Sequence, residues 1–197
     1  LASTAKHLAH YGWRRGEPWL EEVKVPAKLD WEQANLNNML PRSTWVEWGV
    51  KKRGGELPAD GLEASLLLPM GKDGPAFLAY QNFRIYTEWN KSLVYATTAA
   101  YLGTRLNGAP PVSKGRDTIA YLTLGETKQL QTILKSKGYD VGKVDGVIGA
   151  NTRASVRLEQ NRLGMAADGY PTKQLLRRLT GNSSDGNSER GGHSLGL

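Results

Sequence analysis

Residues 107–115 read Asn-Gly-Ala-Pro-Pro-Val-Ser-Lys-Gly. Adjacent prolines lack the backbone donors that a helix or a sheet requires, and the flanking glycines and serine favour turns. Any fold of this chain is therefore divided here. The sequence has 197 residues and single domains cluster at about 100–150 residues, so the break predicts two units of unequal size. We expect a first unit over 1–108, a linker over 109–117 and a second unit over 118–181. Residues 182–197 offer no apolar side chain before Leu195. Such a segment cannot offset the entropy of ordering and is expected to be a disordered tail. His193 lies there without companion ligands, and no metal site is predicted.

Composition narrows the classes. The absence of cysteine excludes a disulfide-stapled scaffold and a thiolate metal site. The longest apolar run, Leu66 to Met70, is far shorter than the roughly 18–20 residues of a transmembrane segment. A net charge of +7 points to a polyanionic partner such as nucleic acid, anionic lipid or wall polymer. Residues 118–180 carry 10 basic and 5 acidic side chains, against 15 and 12 over 1–117, so the smaller unit is the more basic. Neither a recognition helix nor an aromatic-basic strand motif is present, which argues against nucleic acid. The chain opens on Leu1 in helix-like sequence and is expected to begin inside a larger protein.

In the first unit, Leu1, Ala5, Leu8 and Tyr11 recur at helical spacing before Gly12, which suits a helix stop. Between Trp19 and Pro26, Val23 and Val25 alternate with Glu22 and Lys24, a half-buried strand pattern. Ala64 to Leu68 and Pro75 to Tyr80 read as two more strands around the turn Met70 to Gly74. These runs predict a small antiparallel sheet. Residues 86–106 contain no proline and place Tyr95, Ala99, Leu102 and Leu106 on one face, which predicts one long core helix.

The second unit shows three helical segments, at 126–137, about 151–163, and Pro171 to Thr180. Leu130, Ile133 and Leu134 point inward in the first, and Pro171 suits a first helical turn. Between the first two segments lies Gly138-Tyr139-Asp140-Val141-Gly142-Lys143-Val144-Asp145-Gly146-Val147-Ile148-Gly149-Ala150-Asn151-Thr152-Arg153, a helix stop, a tight glycine loop and a new capped helix. With Leu130-Gln131, Leu134, Val156, Gln160, Gly164 and Leu175 to Leu179, this block resembles the type 1 peptidoglycan-binding domain family over residues 123–180. The resemblance implies a three-helix bundle that binds the bacterial wall. We expect the loop from Tyr139 to Asn151 to form one wall of a groove for glycan or stem peptide. Its candidate residues are Tyr139, Asp145, Gly146, Asn151 and Thr152. Glu159 stands where that family usually places an aromatic, so this side of the bundle is expected to be more exposed.

A second block runs Gln81-Asn82-Phe83-Arg84-Ile85-Tyr86-Thr87-Glu88-Trp89-Asn90-Lys91-Ser92-Leu93-Val94-Tyr95-Ala96. Aromatic residues at helical spacing usually mark a core. Here they interleave with Asn82, Asn90 and Ser92, which can bond sugar hydroxyls and acetamides while rings cover pyranose faces. Together with Ala5 to Trp19 and Ala64 to Leu78, the block resembles the membrane-bound lytic murein transglycosylase B family over residues 1–107.

That resemblance implies a mainly α (α+β) chain: part of a lysozyme-like transglycosylase domain with a small antiparallel sheet, followed by the three-helix peptidoglycan-binding domain. It implies a lyase of cell-wall turnover in the periplasm or cell envelope, acting on glycan strands that bear stem peptides. The β-1,4 bond between N-acetylmuramic acid and N-acetylglucosamine is cleaved to a 1,6-anhydromuramoyl product. One glutamic acid serves as acid and then base, without a cofactor and without the second carboxylate of most glycosidases. The family's cleft-lining tyrosine, asparagine and tyrosine fall on Trp89, Asn90 and Tyr95. Asn82 and Phe83 match the block just upstream, where a turn-capping amide and a core ring compete with sugar contact. The family's Glu-Ser-x-Phe-Gly-like and Gly-Gln-Phe-Met-Pro-like segments do not occur here, so no catalytic residue is assigned and the proton donor is expected upstream of Leu1. Glu17, Glu21, Glu22, Glu47, Glu56, Glu63 and Glu88 are read as solvated surface. A non-catalytic wall-binding fragment is the alternative function. A nucleic-acid binder and a wall amidase are weaker ones.

Overall fold

The computed structural model describes residues 2–89, 93–117 and 119–181, without the side chains of residues 2–5 and Trp89. The expected disordered tail, with His193, lies outside the described residues, as does Asn90. The first unit contains α1 (Ala2–His10), β1 (Leu20–Lys24), β2 (Leu40–Pro41), α2 (Arg42–Glu47), β3 (Lys51–Lys52), β4 (Glu63–Leu67), β5 (Ala76–Tyr80), α3 (Gln81–Trp89) and α4 (Leu93–Leu106). The second contains α5 (Leu124–Ser136), α6 (Ala150–Arg162) and α7 (Lys173–Thr180). The mainly helical composition and the small antiparallel sheet agree with the α+β reading.

The strands form one antiparallel sheet in the order β2-β4-β5-β1-β3. Central β5 pairs Leu78 with Leu66 of β4 on one side and with Glu21 of β1 on the other. Both faces of β4 and β5 are covered, which explains why their sequences are continuously apolar rather than alternating. On one face Leu66, Leu78 and Tyr80 pack against Trp45 and Val50. Trp45 is fully buried and donates its indole N–H to the Ala64 carbonyl at 2.8 Å. On the other face Leu67, Phe77 and Ala79 pack against Phe83, Tyr86, Ala96 and Ala100.

The predicted long helix over 86–106 is two helices, α3 and α4, and the first begins directly after β5. The buried face of α4 also differs from the expected one. Ala96 and Ala100 are buried, while Tyr95, Leu102 and Leu106 are 52%, 57% and 83% exposed. Small side chains let α4 lie close to α3 and the sheet, and the large ones project outward.

The second unit closes on Leu130, Leu134, Val156 and Leu175. Thr123 and Glu126 form a reciprocal capping box at the start of α5. Thr172 caps α7, its hydroxyl accepting from the Leu175 N–H at 3.1 Å, so the helix opens two residues later than expected and Pro171 lies outside its first turn. Glu159 reverses its expectation. It is fully buried, and its carboxylate accepts from the Tyr139 hydroxyl at 2.8 Å and from the Arg162 guanidinium at 2.9 and 2.7 Å, with Lys137 at 3.1 Å.

The two units touch directly. Residues 109–117 carry no helix or strand, yet they are pinned to the first unit. Val112 N–H donates to the Tyr101 hydroxyl and Ser113 N–H to Glu22, both at 2.9 Å. Asp168, in the loop before α7, accepts the Lys72 N–H at 2.8 Å. Gly71 is required at this contact: its φ is +78°, and a Cβ would sit 2.8 Å from Tyr170 Cβ and 2.9 Å from Asp168.

Candidate functional site

The α3–α4 region gathers the first set of predicted residues, but in different roles. Asn82 is fully buried at the start of α3. Its carbonyl accepts from the Arg14 N–H at 2.8 Å, and its amide donates to the carbonyls of Arg14 and Glu17 at 2.8 and 3.0 Å. Every strong polar function of this side chain is committed to the loop before β1. Phe83 is likewise fully buried, against the sheet. Both positions match the turn-capping amide and core ring weighed beside sugar contact, and neither presents an atom to solvent. Trp89 closes α3.

Tyr95 stands on the outer side of α4, half exposed. Its hydroxyl lies close enough to that of Tyr86 on α3 to act on its titration. Burial, then the Tyr95 hydroxyl, push the Tyr86 phenol above its ordinary range. Tyr86 lies edge-on to Trp19 with ring centroids 6.3 Å apart, and Trp19 edge-on to Trp13 at 5.7 Å. Tyr86, Trp19 and Trp13 therefore form an aromatic row. Tyr86 lay within the recognised block, but its partnership with Tyr95 joins two helices and has no linear spacing signal.

The second set surrounds the glycine loop between α5 and α6. Thr152 is buried and donates to the Val141 carbonyl at 3.2 Å. The Gly146 N–H donates to Gln131 at 2.8 Å, in a turn with φ +84° and the Leu124 side chain pressed against its Cα. Both positions hold the loop in shape, and the Thr152 side chain is 1% exposed. Asp145 accepts the Val147 N–H at 2.8 Å, which with neighbouring donors holds its carboxyl below the usual carboxylate range. Asn151 donates to Asp140 at 2.8 Å. Both remain exposed, and Tyr139 is half exposed. Leu124 and Val147, which sequence reasoning did not single out, are 63% and 64% exposed at the same end of the bundle.

The glutamates separate into two groups. Glu47, Glu56, Glu63 and Glu88 are exposed as expected. Glu17, Glu21 and Glu22 are half buried and ion-paired, which corrects the solvated reading. Glu21 accepts from Lys52 at 2.7 Å and from the Tyr80 hydroxyl; burial, then that bond, push the tyrosine's pKa upward. Among the described residues no three His, Asp or Glu side chains gather as a metal site, and no helix is long and apolar enough to cross a membrane.

Residues 1–104 match the Transglycosylase SLT domain family, and residues 123–179 match a peptidoglycan binding domain family. The first match covers more than half of the chain, and the chain belongs to the SLT transglycosylase domain family. The fold is similar to the crystal structure of SltB3 from Pseudomonas aeruginosa in complex with NAG-anhNAM-pentapeptide. The TM-score is 0.77 with 42% identity over 91% of this chain and 49% of that one. The complex of SltB3 with NAG-NAM-pentapeptide matches at the same TM-score and identity over 90% and 49%. The chain thus spans about half the length of these solved relatives. No curated protein sequence matches it.

Proposed function

We propose that the protein is a peptidoglycan lytic transglycosylase of the cell envelope. Its first unit supplies one wall of the cleft, and its second unit binds the same polymer. The observation that supports this reading most is the 42% identity over 91% of the chain to a protein solved with both NAG-NAM-pentapeptide and NAG-anhNAM-pentapeptide. The two differ as a muramic acid differs from its intramolecular 1,6-acetal, the product expected when the sugar's own 6-hydroxyl attacks C1 and the glycosidic oxygen at C1 leaves with a proton.

On this reading Trp89, Asn90 and Tyr95 line the sugar cleft, and Tyr139, Asp145 and Asn151 border the wall-binding groove. The proton donor belongs to the half of the relatives' fold that these residues do not span. Glycan strands and stem peptides are the partners, nucleic acid is not, and the periplasm is the site of action. Mass spectrometry of purified sacculi incubated with the protein tests this. Release of 1,6-anhydromuropeptides supports it, and release of reducing-end muropeptides overturns it.

The alternative of a non-catalytic wall-binding fragment for this stretch has one observation in its favour. Among the described residues, the half-buried Glu21 and Glu22 are each committed to an ion pair at 2.7 Å, which leaves neither carboxylate free to approach a glycosidic oxygen. Sacculus binding without any release identifies that case.

A further inference from the structure

A cavity of about 590 Å³ opens between β1, the Arg53-Gly54 turn and the C-terminal half of α4. Tyr95, the proposed sugar-contact residue whose side chain is described, does not line it. Thr104 on its wall is nine positions after Tyr95, which at 3.6 residues per turn puts the two on opposite sides of α4. This is a separate site, within the volume range of about 300–1,000 Å³ typical of ligand pockets.

Its apolar wall is formed by Trp19, Leu20 and Phe77. The Cζ2–Cη2 edge of the Trp19 indole reaches the backbone of α4 because position 103 is glycine: a Cβ there would meet indole Cζ2 and lie 2.6 Å from Cη2. Glycine is a poor residue inside a helix, and here it makes room for the ring.

The polar rim carries two ion pairs, Lys52 with Glu21 and Arg53 with Glu22, each at 2.7 Å. The carboxylates are sunk, with side chains 16% and 14% exposed, whereas the cations are 38% and 31% exposed. Arg53 directs Nη1 to Glu22 and to the Pro111 carbonyl, and among the described residues its Nε and Nη2 have no acceptor. Lys52 spends its one recorded side-chain bond on Glu21. Spare cationic donors above an aromatic wall suit a carboxylate attached to small aliphatic groups.

We propose that this cavity binds the carboxylate terminus of a short aliphatic peptide. Resting on the function proposed above, that peptide is the alanine-ended stem peptide of peptidoglycan, held apart from the sugar cleft.

The test is titration of isotope-labelled protein, followed by NMR of the Trp19 indole N–H, with diacetyl-lysyl-D-alanyl-D-alanine and with its C-terminal amide. The acid is expected to shift the resonance saturably, and the amide to bind at least tenfold more weakly. Lys52→Gln and Arg53→Gln are each expected to weaken the acid at least fivefold. Lys52→Gln leaves the Pro111 contact intact, so its effect is separable from loss of the linker's anchorage. Equal binding of acid and amide, or full affinity in both variants, overturns the site. Sacculus binding with no shift at Trp19 overturns the site and leaves the proposed function standing. Peptide binding by a protein that never co-sediments with sacculi overturns that function and the identity of the peptide.

Discussion

The Arg153 guanidinium on α6 donates to the Leu68 carbonyl at 3.1 Å and to the Pro69 carbonyl, so a helix of the second unit is bonded to the end of β4 in the first. One turn later Arg157 donates to the Ala34 carbonyl at 2.9 Å. With the Asp168 contact to Lys72, these bonds join the units independently of the linker. The second unit is therefore held at a set orientation, not on a flexible tether.

Arg153→Ala removes two charge-assisted bonds, each contributing roughly 1.5–3 kcal/mol, and leaves two carbonyls at the contact without their donor. We expect cleavage by protease near residues 109–117 to rise at least tenfold, with the helical circular dichroism of both units retained. Small-angle scattering should show a larger radius. An unchanged proteolysis rate would show that the linker contacts alone hold the units together.

Asn82 makes three bonds to one loop, at about 1 kcal/mol net each, so Asn82→Ala is expected to cost about 2–3 kcal/mol in urea unfolding. Asn82→Asp keeps the acceptor and loses both donors, and should also destabilise. Sacculus binding measured well below the melting temperature should be unchanged in either, because the amide is spent on the loop. A stable Asn82→Ala variant with weakened sugar binding would restore the contact role.

The three main strands were legible because β4 and β5 are apolar runs and β1 alternates apolar with charged residues ahead of Pro26, and the three helices of the second unit because their caps and stops agree with their periodicity. The two-residue strands β2 and β3 were not, since pairing so short leaves no pattern. The orientation of α4 was misread because large apolar residues outrank alanine in a hydrophobic pattern, whereas close helix packing selects the alanines. Arg153 and Arg157 carry no signal in the sequence, and only the approach of the first unit's carbonyls makes them a clasp. For the candidate site, a linear motif supplied Tyr95 but could not tell the exposed ring from Asn82 and Phe83, which serve the core.

Glu159 governs the acid stability of the second unit. The Arg162 guanidinium, helped by Tyr139 and Lys137 and opposed by burial, holds its carboxyl at about 2, against an ordinary 4.5. A carboxyl depressed on folding stabilises fully above its unfolded value, and the contribution is lost as pH falls toward the folded value. Stability should therefore decline between about pH 4.5 and 2, the same sense as the lowered carboxyls of Glu126 and Asp145. In Glu159→Gln this limb should flatten, with a loss of about 1–3 kcal/mol at pH 7. Glu159→Phe should lose at least as much at pH 7, since removing one partner of a buried ion pair leaves Arg162, Lys137 and the Tyr139 hydroxyl without their acceptor. Urea unfolding of the three proteins from pH 2 to 7 measures both effects.

Tyr95 gives the sharpest test of the sugar cleft because its ring and its hydroxyl have separable duties. The ring is half exposed, while the hydroxyl meets Tyr86, itself only 8% exposed. Tyr95→Ala removes the stacking face and is expected to weaken binding to sacculi about tenfold, equivalent to about 1.4 kcal/mol. Tyr95→Phe keeps the face, so binding should fall no more than about threefold, less than 1 kcal/mol. The phenylalanine variant should instead alter Tyr86: without the neighbouring hydroxyl its titration should move down toward the ordinary tyrosine range, yet stay above it because burial is the larger cause. Ultraviolet difference titration reads this shift directly. A tenfold loss in both variants, with Tyr86 unmoved, would place the binding function on the hydroxyl and reject the stacking role.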